Sequence, residues 1–140
     1  MKKAFLLLLV NFITTICFAQ DITGEWYTID DNTKEKKAIV EIYAEGDAYF
    51  GKIKTSLVSD NTELCTECDG SKKNKPIKGL VIIEKMKLDG DEYNGGTILD
   101  PESGTEYKCL LQLESKDKLK VRGYVGFSLL GRTQYWQRKQ

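Results

Sequence analysis

Apolar and polar residues alternate along two neighbouring segments in the second half of the chain. In residues 107–113 every second side chain is apolar, and only Leu110 departs from the pattern. Residues 119–125 follow the same rule, with Lys118, Lys120 and Arg122 in the polar positions. A period of two places successive side chains on opposite faces of a β-strand. Both segments are therefore predicted to be strands with one face toward a core.

Short runs rich in Val, Ile, Tyr and Thr recur through the rest of the chain after residue 20, and no segment there sustains a helical period. The pattern predicts eight strands, at residues 23–29, 37–43, 48–55, 80–87, 92–99, 107–113, 118–125 and 133–138. Hairpin residues lie at 45–47, 89–91, 100–104 and 115–117. Neighbouring strands are therefore expected to pair antiparallel.

One of these turns has a complete set of turn residues. Pro101 presets its own φ, Asp100 can accept backbone N–H groups of the turn, and Gly104 supplies a left-handed exit. The longest irregular stretch, residues 56–78, contains a cysteine pair and several lysines. A loop of this length is uncommon without a function or a covalent tie.

The predicted fold is all-β, an eight-stranded antiparallel meander closed into a barrel. A small meander has two edge strands, and closure is the arrangement that removes both. The interior of an eight-stranded barrel is filled by side chains or holds one small ligand.

The first residues are predicted to be a signal peptide. Lys2 and Lys3 precede an apolar run at residues 4–10, and Ala19 is a small residue at the expected cleavage point. The run is too short to span a membrane. We expect residues 1–19 to be removed and residues 20–140 to form one barrel domain, exported to the periplasm or the cell exterior and not membrane-spanning.

Charge and composition exclude several functions. The chain has 21 basic and 21 acidic residues, and loss of Lys2 and Lys3 leaves a slight acidic excess. Binding to nucleic acid is therefore not expected. The sequence contains no histidine, which removes His-based nucleophile systems and His-ligated metals. No catalytic residue, metal or cofactor is predicted, and we expect the protein not to be an enzyme.

Three cysteines follow the predicted signal peptide. Cys65 and Cys68 are expected to form a local disulfide in an exported chain. The alternatives are a redox-active pair or a zinc site completed by Cys109 and a carboxylate. Cys109 lies on the apolar face of its strand and is expected to be a buried free thiol.

The two ends of the predicted barrel resemble those of lipocalins and other calycins. Gly24 and Trp26 open the first strand, and Arg132, Trp136 and Arg138 lie in the last. In that superfamily a Trp near one end of the barrel is covered by an Arg from the final strand. Such an arginine stacks on the ring and donates to free carbonyl groups. Here either arginine is a candidate for this cap.

A more specific resemblance is to the bacterial family catalogued as domain of unknown function 2147. It rests on residues 24–26, 75–80, 95–101, Gly104, Tyr107, 119–124 and 131–138. The resemblance implies an exported lipocalin-like barrel and no known activity.

The candidate ligand residues lie near one end of the barrel. They are Arg122, Tyr124, Phe127, Leu130 and Arg132. Guanidinium groups there can clamp an anionic headgroup, and Arg122 is the leading candidate. Structural roles are the alternative: a cap on the Trp, or a solvated salt bridge. The apolar loop at residues 126–131 is expected to be a lid or a patch for an apolar ligand or partner, or else a plug of the barrel end.

These observations favour an exported module that binds a small apolar or anionic amphipathic molecule inside the barrel. The alternative is a filled barrel that acts through its surface as an interaction or inhibitor domain, with an envelope protein as its partner.

Overall fold

A computed structural model describes residues 21–140, so the predicted signal peptide lies outside the described residues. The strands are β1 (Gly24–Ile29), β2 (Lys36–Glu45), β3 (Ala48–Ser56), β4 (Val81–Asp89), β5 (Glu92–Asp100), β6 (Thr105–Ser115), β7 (Lys118–Tyr124) and β8 (Gly131–Arg138). Each coincides with a predicted strand to within two residues. Within the described range no helix is long and apolar enough to cross a membrane.

The strands form a closed barrel in sequence order, which confirms the predicted fold. Each strand pairs antiparallel with the next, and β1 pairs with β8 to close the sheet. In this seam Trp26 lies opposite Arg138, and Tyr27 lies opposite Gln137. Only these two positions pair within β1 and β8, and the N–H of Lys139, directly after β8, donates to the Glu25 carbonyl oxygen at 2.9 Å.

The barrel has two unlike ends. We call the end with Trp26 and Arg138 the floor, and the end with the long loops the mouth. Large apolar side chains that are less than 2% exposed fill the floor half. They are Ile22, Trp26, Ile42, Ile83, Met86, Leu111 and Leu119. These residues belong to one continuous cluster, so the floor half is the packed core of the protein.

The β3–β4 loop at the mouth is held by a disulfide. Cys65 and Cys68 are bonded to each other and are 0% exposed. The Sγ atom of Cys65 lies 3.6 Å from the carbonyl oxygen of Pro101, so the loop packs against the β5–β6 turn. Cys109 is a free thiol. The disulfide is confirmed, and it leaves no thiolate pair for the alternative zinc site.

The Cys109 thiol is buried, and its burial raises its pKa to about 12. In the unfolded chain a cysteine titrates near about 8.5. Because the thiol has a higher pKa in the folded chain than in the unfolded chain, burial of the neutral thiol contributes to the free energy of unfolding. This contribution is complete below about pH 8.5 and is lost as the pH rises toward 12.

We therefore expect Cys109 to resist alkylation at about pH 8 in the folded chain and to react fully after unfolding in urea. The Cys17→Ser substitution leaves Cys109 as the one free thiol of the full chain. Mass spectrometry then counts the labelled thiols. Stoichiometric labelling of the folded protein would contradict the buried position.

Candidate functional site

The mouth half of the barrel contains an open cavity of about 520 Å³. Apolar side chains from several strands form most of its inner wall: Val40, Ile53, Ile82, Ile98, Tyr107, Val121 and Trp136. Ala38 and Gly123 also lie on the wall, and their small size leaves space that larger residues would occupy. Side chains therefore do not fill the mouth half of the barrel. The volume lies within the range typical of small-molecule sites.

Trp26 and Arg138 close the floor below this cavity. The indole N–H of Trp26 donates to the carbonyl oxygen of Ile22 at 2.8 Å, and the ring is fully buried. The guanidinium carbon of Arg138 lies 4.2 Å from the ring centre. Gly24 has a φ of +123°, and a Cβ there would lie 3.0 Å from the Arg138 guanidinium. This explains why a glycine opens the Gly-Glu-Trp motif.

Arg138 also satisfies three backbone carbonyl groups at the floor. It donates to the carbonyl oxygens of Asp21 at 2.9 Å, Thr23 at 2.8 Å and Lys116 at 2.7 Å. The guanidinium group therefore links the start of the barrel to the β6–β7 turn. Of the two candidate arginines, the structure places Arg138 over Trp26.

Arg132 lies at the opposite end, on the cavity wall at the mouth. It forms a close ion pair with Asp31, and this hydrogen-bonded partner raises the pKa of Arg132. The side-chain amide of Gln134 donates to the same carboxylate at 3.3 Å. These contacts join the β1–β2 turn to β8 beyond the paired part of the seam. The cation is therefore already engaged by the protein.

Lys37 is the second cation of the cavity lining, and it is also paired. Its Nζ donates to Glu102 at 2.7 Å and lies 3.9 Å from Asp30. The hydrogen bond to Glu102 raises the pKa of Lys37. Backbone N–H groups of Thr33 and Asn32 lower the pKa of Asp30. The Asp30 carboxylate is therefore charged beside the lysine at neutral pH.

The predicted ligand residues divide into two groups. Tyr124, Leu130 and Arg132 contribute to the cavity lining, whereas Arg122 and Phe127 do not. Arg122 projects from the outer face of β7 and donates to Ser128 O at 2.8 Å and to Thr133 Oγ1 at 2.7 Å. Arg122 lies between Val121 and Gly123, which line the cavity, so its own side chain points to the other face of β7.

The apolar loop before β8 borders the mouth. Phe127 is 59% exposed and Leu129 is 82% exposed. Leu130 belongs to the cavity lining, and its N–H donates to the Phe127 carbonyl oxygen at 3.0 Å. The loop therefore leaves the cavity open to solvent and does not plug it.

The β5–β6 turn supplies part of the rim. Asp100 accepts the N–H of Glu102 at 3.0 Å and the hydroxyl of Ser103 at 2.9 Å. Asp100 and Pro101 both contribute to the cavity lining, so the turn residues also border the site.

Sequence patterning did not indicate Lys37, Asp31 or Glu63 as residues of the site. Lys37 adjoins the inward-facing Ala38, and Asp31 lies in a turn. Glu63 lies in the long irregular loop, where no periodicity predicts a direction. Within residues 21–140, no cluster of three or more His, Cys, Asp or Glu side chains is placed to hold a metal ion.

The closed meander and its Trp–Arg floor define a lipocalin-like barrel. The chain belongs to the family described as an uncharacterized protein conserved in bacteria, DUF2147, whose model matches residues 24–138. Among solved structures it is similar to protein HP1028 from the human pathogen Helicobacter pylori, which is described as belonging to the lipocalin family. That similarity has a TM-score of 0.76 at 17% identity and covers 86% of this chain and 84% of the other. A comparison with curated proteins found no match.

Proposed function

We propose that this protein binds a small apolar or amphipathic molecule in the cavity at the mouth of its barrel. The observation that carries the proposal is the open cavity of about 520 Å³ with an apolar inner wall. A preformed concave site of this kind buries most of the surface of a small ligand. The packed floor below it supports the same function, because it holds the wall strands in place without ligand.

The cavity also suggests how a ligand lies. Trp136 is 3% exposed and its indole N–H donates to Gln134 at 3.3 Å, so its ring offers an apolar surface within the barrel. The charged residues lie at the rim, where Lys37 and Arg132 are located. We therefore place the apolar part of the ligand inside and its polar end at the mouth. The role is binding and not catalysis, and the absence of histidine from the sequence supports this choice.

An Ala38→Phe variant tests the proposal with the uncharged fluorescent probe N-phenyl-1-naphthylamine. Ala38 lies on the cavity wall, so the added ring occupies the space that the probe needs. We expect saturable binding by the unaltered chain and a loss of affinity of about tenfold or more in the variant.

Lys120→Phe is the matched control, because it adds the same ring on the outer face of β7 opposite Gln112 and Tyr135. Its affinity should equal that of the unaltered chain, with folding of each variant checked by circular dichroism. Equal affinity of Ala38→Phe and the unaltered chain would argue against the cavity as the site.

We also place this function outside the cytoplasm, in the periplasm or beyond the cell. The disulfide between Cys65 and Cys68 supports export, because disulfides persist in oxidising compartments. The basic and apolar pattern of the first 19 residues supports it independently. The exported product is then residues 20–140, a single barrel domain.

The intact mass of the protein from an envelope fraction tests this location. We expect a chain that begins at Gln20 and contains one disulfide. Recovery from the cytoplasm of a chain that retains residues 1–19 with reduced cysteines would contradict export.

A further inference from the structure

The rim of the cavity carries more acidic than basic side chains. Carboxylates that line the cavity or contact its cations are Asp30, Asp31, Glu63, Asp100 and Glu102. The cations of the lining are Lys37 and Arg132. Three carboxylates therefore line the cavity beside two cations, and Asp30 and Asp31 contact those cations. The cavity itself forms the binding site, and these charges determine which polar end a ligand can present there.

Both cations of the lining are already paired with carboxylates. Lys37 is bound to Glu102 at 2.7 Å, and Arg132 is bound to Asp31. Asp100 also interacts electrostatically with both cations, and these acidic neighbours raise the pKa of each. An anionic headgroup would have to displace one of these partners and then lie among the remaining carboxylates.

Two carboxylates of the lining have no such partner. Among the described residues, Glu63 and Asp100 form no ion pair with a basic side chain. Asp100 is hydrogen-bonded within its own turn. Glu63 lies in the β3–β4 loop and is exposed, so its charge is available at the mouth. A cationic group that extends from the cavity to the rim would meet Glu63 and Asp100.

The geometry points to a ligand with an apolar body and a cationic end, such as an alkylammonium-type amphiphile. This inference rests on the proposed function, since it concerns the ligand of the same cavity. It replaces the anionic amphiphile expected from the arginines of the sequence. The apolar wall attracts the apolar part of either kind of amphiphile. The sign of the rim charge then discriminates between a cationic and an anionic end.

Three probes with the same ten-carbon chain and different ends test the charge preference. They are decyltrimethylammonium, 1-decanol and decanoate, each used below its micelle concentration with the full chain at low ionic strength, about 20 mM, to limit screening. Competition against N-phenyl-1-naphthylamine measures their affinities. We expect decyltrimethylammonium to bind most tightly and decanoate most weakly, with a ratio of about tenfold or more between them.

Reversal of one rim charge provides a second test. Glu63→Lys should reduce the ratio between the affinities for decyltrimethylammonium and decanoate at least about threefold. Glu114→Lys is the matched control, because it changes the net charge equally at an exposed position near the floor end of β6. That variant should keep the original ratio.

The outcomes separate the two proposals. Decanoate binding as tightly as decyltrimethylammonium, or equal ratios in Glu63→Lys and Glu114→Lys, would overturn the inference and leave ligand binding intact. Failure of all three probes, including uncharged decanol, would overturn both. The expected order, with a smaller ratio in Glu63→Lys alone, would support both.

Discussion

Replacement of Trp26 by alanine is expected to lower the free energy of unfolding by about 3–5 kcal/mol. Trp26 is fully buried, and its removal leaves an empty space among core residues such as Ile42 and Leu119. It also removes the ring under the Arg138 guanidinium and the N–H that satisfies the Ile22 carbonyl group. Urea denaturation followed by circular dichroism measures the change.

Two other substitutions identify the origin of this loss. Tyr135→Ala removes an aromatic ring from the outer face of β8, where the residue is 46% exposed, and should cost less than about 1 kcal/mol. Trp26→Phe retains much of the buried ring but leaves the Ile22 carbonyl group unpaired, and should have an intermediate effect. A Trp26→Ala loss no larger than that of Tyr135→Ala would show that the floor does not stabilise the barrel as described.

Gly104→Ala is expected to cost about 2–5 kcal/mol for two separate reasons. Gly104 has a φ of +72°, which an L residue with a Cβ adopts only with strain. In addition, a Cβ at this position would overlap the backbone carbonyl group of Glu67 in the disulfide-tied loop. The turn and the loop would then have to separate. Urea denaturation gives the change in free energy.

Gly90→Ala is the matched comparison, because Gly90 has a φ of +67° and a Cβ there would meet nothing within 4 Å. It should show the conformational cost alone, about 1–2 kcal/mol. The difference between the two variants measures the contact between the β5–β6 turn and the loop. Equal losses would show that this contact adds nothing at Gly104.

The packed core and the proposed binding cavity lie toward opposite ends of the barrel. The floor is packed with large apolar side chains, whereas the mouth has Ala38 and Gly123 on its wall. The β3–β4 loop is held at the mouth by its disulfide and by the bridge between Leu64 and Pro76. We infer that side chains on the cavity wall tolerate substitution better than the buried side chains of the floor, such as Trp26.

Local pattern was sufficient to predict the strands and their order. The alternation in β6 and β7 identifies which of their side chains face inward, because the two-residue period is a property of the extended backbone itself. Turn residues such as Pro101 and Gly104 set the hairpins, and short hairpins pair neighbouring strands antiparallel. The need to remove both edges then led from the strand count to the closed barrel, but the sequence left open whether Arg132 or Arg138 covers Trp26.

Contacts between distant parts of the chain decided the properties of the cavity. Asp31 and Arg132 are separated by 101 positions in the sequence, and barrel closure brings them together as an ion pair. Lys37 and Glu102 are joined in the same way across 65 positions. Neither pairing follows from periodicity, because alternation specifies the face of a strand and not which distant loop lies beside it. The charge of the mouth, and hence the inferred cationic end of the ligand, therefore became apparent only once the barrel had placed these side chains together.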